Sequence, residues 1–229
     1  ISRKDSDLYA LESQQRAEAA IAAGHFDAEI VPVEVADRKG DVTLVTCDEH
    51  PRAGVTLESL RKLEPVFEVE GHQGIITAGS ASGITDGGAA LVLVSGSRAK
   101  LLGCRPLARI AGWASAGVDP KIMGIGPVPA MQKLFGRLQQ SVDDYDLVEL
   151  NEAFAVQVLA VLRDMPIARD RLNVNGGAIA LGHPIGCTGA RIVVTLLHEL
   201  ERRDATRGLA TLCVSGGMGM AMAFERGQA

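Results

Sequence analysis

Leu147-Val148-Glu149-Leu150-Asn151-Glu152-Ala153-Phe154 decides the fold class. Leu147 to Leu150 reads as a short buried strand and Glu152 to Leu162 as a helix, so Asn151 sits at a strand-to-helix junction. The alternation continues on both sides. A strand from Leu107 to Ala116 leads through a loop to a helix that Pro127 or Pro129 opens and that ends near Gln140. Downstream, a glycine-rich loop from Asn175 to Gly189 delivers a helix ending in Glu199-Leu200-Glu201-Arg202-Arg203. Leu209 to Val214 is a strand, and Gly216-Gly217 turns it back into Met218 to Phe224 as a hairpin. Strands alternating with helices and finishing in a hairpin predict an α/β layered domain.

The other half of the sequence is less regular. Ser2 caps a first helix with Asp5 three positions on, and Gly24 stops it. Ile30 to Val35 alternates as a short edge strand interrupted by Pro32. Residues 36 to 80 are loop-rich, punctuated by Lys39-Gly40, Pro51, Gly54, Pro65, Gly71 and Gly74, with a short helix from Leu57 to Leu63. A small-residue loop, Thr77 to Gly83, precedes an apolar strand from Ala89 to Val94. The chain opens at a helix cap without a methionine, which reads as a sequence cut from something longer.

Composition bounds the function. The 229 residues, 47% of them hydrophobic, suffice for one large domain or two small ones. A formal net charge of −5 argues against nucleic acid as a default partner. No apolar run reaches the length of a membrane span. Cys47, Cys104, Cys187 and Cys213 fit neither a disulfide framework nor a paired zinc pattern, which points to reduced thiols in the cytoplasm. Cys47 and His50 have ligand-like spacing but no partner pair, so no metal is expected.

Three residues carry candidate chemistry. Asn151 reads either as a helix cap or as an amide held rigidly where it positions a water or an oxyanion. His183 lies in a loop with five glycines in fourteen residues, Gly176 to Gly189, and Pro184 stiffens its turn. An unperturbed imidazole titrates near about 6.5, which suits a base or a hydrogen-bond donor. The loop lacks the lysine of a Walker motif and the G-x-G-x-x-G pattern, so nucleotide binding ranks below catalysis. Cys213 ends a strand beside Ser215-Gly216-Gly217. It reads as a small core residue or as a thiol whose titration positive neighbours and helix ends bring down. An amide, an imidazole and a thiol together suit carbon–carbon bond chemistry on thioesters.

Asn151-Glu152-Ala153-Phe154, Gly182-His183-Pro184 and Cys213-x-x-Gly216-Gly217 stand in this order along the chain, and in this they resemble the thiolase family. The resemblance runs from end to end. It implies an acyltransferase of CoA thioesters in fatty acid metabolism, catalysing reversible Claisen condensation or thiolysis of 3-oxoacyl-CoA. It also implies a layered αβαβα fold in the intact enzyme, and a dimer or tetramer. Ketoacyl synthases share that fold but place no second catalytic cysteine at the C-terminal hairpin.

By the resemblance, Asn151 holds a water that stabilises an oxyanion with His183. His183 also activates a nucleophilic cysteine, and Cys213 moves the proton on the α-carbon. Ser82 and Ala78 meet the pantetheine, and Arg52 lies near the nucleotide end of CoA. Met123 and Phe154 line the acyl and pantetheine tunnel, or simply pack the core. No resident cofactor is implied, since CoA and acyl-CoA are substrates.

The implied organisation is 1–83 as the end of the CoA-binding loop region, 84–104 as the closing strand of an N-terminal half, and 105–229 as the C-terminal domain. The nucleophile's segment lies upstream of these residues in the family, and none of the four cysteines replaces it. The isolated chain is therefore expected to be inactive; the alternative is a non-catalytic CoA-binding or assembly subunit. The chain departs from the family at Ser80, at His72-Gln73-Gly74, and at Ser215, where a glycine-only backbone angle would be strained by a Cβ.

Overall fold

A computed structural model describes residues 1–69 and 71–227. Gln228 and Ala229, the last residues of the expected C-terminal domain, lie outside the described residues. The first helix, α1 (Arg3–Ala22), begins as its cap requires: the Asp5 N–H donates to Ser2 Oγ at 3.1 Å, and the Ser2 N–H donates to Asp5 Oδ2 at 2.8 Å. Two orphan helix donors are thereby satisfied. This helix buries a polar stripe, Ser6, Asp7, Ser13 and Gln14, alongside Tyr9, Ala10, Ala17 and Ala20.

Next come β1 (Val33–Ala36) and β2 (Val42–Val45), an antiparallel pair in register Val33–Val45 to Ala36–Val42. The strand expected from Ile30 begins after Pro32, whose missing N–H keeps it out of the ladder. The β2 strand falls in a stretch read as loop. Both strands are exposed at every position. Thr56 caps α2 (Leu57–Arg61), two residues shorter than expected. Two short strands, β3 (Glu68–Val69) and β4 (His72–Gln73), pair antiparallel, and α3 (Gly96–Leu102) ends at Gly103 in the left-handed region.

The strand expected over Ala89–Val94 is absent: these residues pair with no other strand among those described. Strand propensity alone does not make a strand. The backbone donors and acceptors need a neighbouring ladder, and none of the described residues supplies one.

The remaining residues build one four-stranded sheet. Its strands are β5 (Arg109–Gly117), β6 (Leu147–Leu150), β7 (Arg207–Val214) and β8 (Met218–Glu225), in the order β5-β8-β7-β6. The β7–β8 hairpin is antiparallel, β6 runs parallel to β7, and Val148 bridges onward to Leu172. Side chains alternate across the sheet. Leu209, Ala221, Ala223 and Ala114 face α4 (Pro127–Leu138), whereas Ala210, Met222 and Phe224 face α7 (Thr188–Arg202).

Pro127 opens α4, as its fixed φ favours. The helix buries Val128, Met131, Leu134 and Phe135, contributing roughly 1.5–3 kcal/mol for each large side chain. It lies close enough that a Cβ on Gly219 would run into the Gly126 carbonyl. The expected helix from Glu152 instead starts three residues later as α5 (Ala155–Asp164). Its first residues are engaged elsewhere: Ala81 bridges Phe154, the Ser82 N–H donates to the Ala153 carbonyl at 3.0 Å, and the Ala155 N–H donates to the Ser80 carbonyl at 2.8 Å. A short helix, α6 (Ala178–Leu181), interrupts the expected glycine loop.

Candidate active site

Asn151 continues β6 rather than capping a helix. Its N–H donates to the Thr211 carbonyl at 2.9 Å, and Phe154 occupies the N-cap position of α5. The side chain, 1% exposed, places Nδ2 3.4 Å from His183 Nε2, and its buried Oδ1 has no partner. An unsatisfied buried carbonyl next to an imidazole is a place where a water or a substrate oxygen would gain hydrogen bonds.

His183 arrives from another direction. Its N–H donates to the Gly83 carbonyl at 2.9 Å, and Ile84 pairs beside it. Gly182 has φ +95°, and a Cβ there would collide with Thr85, so both shape and backbone call for glycine. His183 Nδ1 lies 2.6 Å from Thr188 Oγ1. Burial, assisted by the charge of Arg191, lowers the imidazole below its usual range, so the ring is neutral at pH 7.

Cys213 sits on β7 opposite Gly219, two residues beyond the Thr211 that holds Asn151, and is 8% exposed. Burial pushes its thiol up, against a smaller lowering by a backbone hydrogen bond. The expected lowering by positive neighbours or helix ends is thus corrected: desolvation dominates, and the resting thiol is neutral. A neutral, buried thiol is suited to giving a proton or, with its pKa raised, to being a strong base once ionised.

The strain expected at Ser215 is also corrected. Among the described residues, only Gln139, Asn173 and Asp204 have positive φ without being glycine, and the left-handed angles of this turn fall on Gly216 and Gly217. Ser215 carries its Cβ at no backbone cost.

The structure joins some of the other site residues and not all. Ser82 is half-buried and donates through Oγ to the Ala153 carbonyl at 3.0 Å, beside the ladder that holds Phe154 and His183. Phe154 is half-buried there as well. Ala78 is exposed on the turn between Thr77 and Ala81. Met123 is half-buried in a 3-10 helix, Pro120–Ile125, whose Gly124 packs against Gln157 of α5. Arg52 is exposed and joins none of these groups; the ring packed against Gly83 is that of His50.

Four groups were given no part in the site by the sequence. Thr188 orients His183 from the first turn of α7. Gln157 is 5% exposed with both amide atoms unpartnered. His50 packs beside the Ser82 segment. Glu152, inside the motif that drew attention to Asn151, accepts from Tyr9 Oη at 2.8 Å, Ser13 Oγ at 2.6 Å, Asn173 Nδ2 at 3.0 Å and the Ile179 N–H at 3.2 Å. A carboxylate in an otherwise buried apolar stretch was the available signal for it. Among the described residues, no cluster of His, Cys, Asp or Glu is placed to hold a metal ion, and no helix is long and apolar enough to cross a membrane.

Comparison with known proteins adds the family. Residues 104–226 match the model of the thiolase C-terminal domain, and residues 1–97 match that of the thiolase N-terminal domain. The chain is 54% identical to an acetyl-CoA acetyltransferase of Cupriavidus necator, over 99% of this chain and 57% of that protein. It is 56% identical to a beta-ketoadipyl-CoA thiolase of Pseudomonas aeruginosa, over 99% of this chain and 56% of that one. The crystal structure of the Bacillus anthracis acetyl-CoA acetyltransferase superimposes with a TM-score of 0.95 at 51% identity, covering 98% of this chain and 56% of its own. Human mitochondrial 3-ketoacyl-CoA thiolase in complex with CoA superimposes with a TM-score of 0.88 at 43% identity, over 100% of this chain and 56% of its own. The chain thus spans little more than half the length of the relatives it matches. On fold, motif order and sequence alike, the chain belongs to the thiolase family.

Proposed function

We propose that these residues supply the oxyanion and proton-transfer groups of a CoA-thioester acyltransferase, which condenses two acetyl-CoA to acetoacetyl-CoA or cleaves a 3-oxoacyl-CoA with CoA. The observation that carries this reading is the pairing of buried Asn151 with half-buried His183, with its unpartnered carboxamide oxygen, held against the strand that bears Cys213. A thioester oxygen or its water gains hydrogen bonds there. His183 takes the proton of a nucleophilic thiol, and Cys213 exchanges a proton with the α-carbon, so that acyl transfer proceeds in two covalent steps. No hydrogen bond joins His183 to any thiol among the described residues, which supports a nucleophile supplied from outside these 229.

Residues 1–83 carry CoA contacts through Ser82 and Ala78 along the pantetheine and Arg52 at the nucleotide end, and Met123 and Phe154, from the later residues, line the acyl and pantetheine tunnel. Residues 84–104 and 105–229 belong to the two halves of the enzyme, and the exposed sheet residues Trp113, Met218 and Met220 support cover by a further layer. A dimer or tetramer is the working assembly. The substrates serve without a resident cofactor, and four free thiols support a reducing, cytoplasmic compartment.

The test is a chimera in which this chain replaces the matching 226-residue part of the Cupriavidus necator relative. CoA-dependent cleavage of acetoacetyl-CoA is expected, falling roughly 10²–10⁴-fold in His183→Ala. The 229-residue chain alone should show none. A folded chimera that binds CoA and cleaves nothing would overturn the reading.

A further inference from the structure

Thr188 lies outside the three-residue set described above, yet it touches the ring that the chemistry depends on. It is 1% exposed in the first turn of α7. Its Oγ1 lies 2.9 Å from the Pro184 carbonyl and 2.6 Å from His183 Nδ1. A hydroxyl has one proton. The carbonyl only accepts, so the first contact is a hydrogen bond only if the Thr188 proton lies on it. The second then requires a proton from the ring, on Nδ1.

The other face of the ring makes the same demand. Asn151 Nδ2 only donates, and at 3.4 Å from Nε2 it needs a lone pair there. Turning the amide over would bury a whole NH2 without a partner, whereas the present orientation leaves one carbonyl oxygen unsatisfied, the less costly orphan. Against this, the Pro184 carbonyl also accepts the Cys187 and Thr188 N–H groups, each at 2.9 Å. That crowding would favour turning the hydroxyl toward Nδ1. It would also set the Nε2 proton against the amide protons of Asn151, two donors face to face in a buried site.

We infer that Thr188 is a positioning residue that fixes the proton of His183 on Nδ1 and keeps Nε2 a bare acceptor at the site. The functional consequence rests on the acyltransferase reading. A thiol proton then moves to Nε2 as the thiolate forms, and the resulting imidazolium offers Nε2–H to a carbonyl oxygen while Nδ1–H stays on Thr188. The ring never has to turn over or exchange its Nδ1 proton between these two tasks.

The test is the ring nitrogen spectrum of the 229-residue chain labelled with 15N-histidine, recorded above pH 7.5. The His183 signals are identified by their loss in His183→Gln. The expected result is a protonated Nδ1 and a bare Nε2 in the wild type, a shift of the majority proton to Nε2 in Thr188→Val, and restoration in Thr188→Ser. A wild-type ring protonated mainly on Nε2 would overturn the inference, as would a Thr188→Val spectrum identical to wild type. Should Thr188→Val unfold, Thr188→Ala replaces it, and the wild-type spectrum decides the tautomer by itself. The readout needs no turnover, so an inactive chimera would count against the acyltransferase reading and leave the tautomer standing.

Discussion

Leu147–Leu150, apolar but for Glu149, and Leu91–Val94 are stretches of equal length with opposite fates. The first is buried at all four positions, with Leu147 in the cluster under α7 and Val148 and Leu150 in the cluster that also gathers side chains of α1, α4 and α5. The second is 37% to 93% exposed and joins no sheet among the described residues. The same contrast separates residues 105–227 from residues 30–104, where the β1–β2 hairpin is exposed along its whole length. Apolar side chains stabilise only where something covers them. The sheet carries the stability, and the N-terminal stretch presents surface.

Ser80, Ser82 and Gly83 cross that divide through backbone hydrogen bonds to Ala155, Ala153 and His183, and the helix that precedes it is tied in as well. The Glu152 carboxylate ties α1 to the site loops through Tyr9 and Ser13 on one side and Asn173 and Ile179 on the other. Glu152→Ala leaves several buried donors without an acceptor and should destabilise the chain by on the order of 4 kcal/mol. Urea midpoints at unchanged slope measure it. A loss below about 1 kcal/mol would mean that α1 is held by its apolar contacts and by Gln14 and Arg16, whose side chains donate to the Ile179, Leu172 and Arg169 carbonyls. Next in size comes Leu134→Ala at the centre of α4, 0% exposed, with an expected cost of about 2–5 kcal/mol.

The boundary between the two regions was also the boundary of what the sequence made legible. The alternating elements from Leu107 onward lie within a few residues of their expected places, because period and punctuation there agree with a ladder that exists. The strand expected at Ala89–Val94 failed because its propensity is intrinsic and its partner is not. The late start of α5 was hidden for a related reason: Ala153 and Phe154 are drawn off the helix by Ser80–Ser82, some seventy residues away. At the site, Asn151, His183 and Cys213 were legible as chemical types in motifs. Thr188 acts through a contact that no local pattern carries, Glu152 showed only as a carboxylate among apolar neighbours, and the isolation of Arg52 is likewise a matter of tertiary placement.

Titration offers a smaller effect confined to the packed region. Glu149, on the α7 face of β6, is 4% exposed with Arg191 at 3.6 Å, and burial raises its carboxyl to about 8. Burial raises Glu29 to about 7, offset in part by the Thr195 hydroxyl and Arg191. For acids whose folded pKa is raised, the folded chain holds protons that the unfolded chain has released, so stability falls as pH rises from about 4.5 to about 8. Glu199 works in the opposite sense. Burial alone would raise it, but hydrogen bonds from Arg202, Asn175 and Arg203 bring it to about 2, so its contribution is lost only as pH falls below about 4.5. Glu149→Gln should flatten the decline between pH 5 and 8, read from urea midpoints across that range. An unchanged slope would move the titration to some other group.

The smallest expected effect sharpens the contrast most. Val92 is 93% exposed, and Leu44 on β2 is 56% exposed. Each is as apolar as Leu134, so if hydrophobicity alone set stability, their loss would be comparable. With little cover to lose, Val92→Ser and Leu44→Thr should change stability by less than about 0.5 kcal/mol in the isolated chain. Self-association should respond instead, because exposed apolar surface drives it. Lower dye binding and slower aggregation at an unchanged urea midpoint would place both residues on a face that awaits cover. A stability loss above about 1 kcal/mol at Val92 would show that this stretch already has a partner within the chain, and would erase the distinction between the two regions.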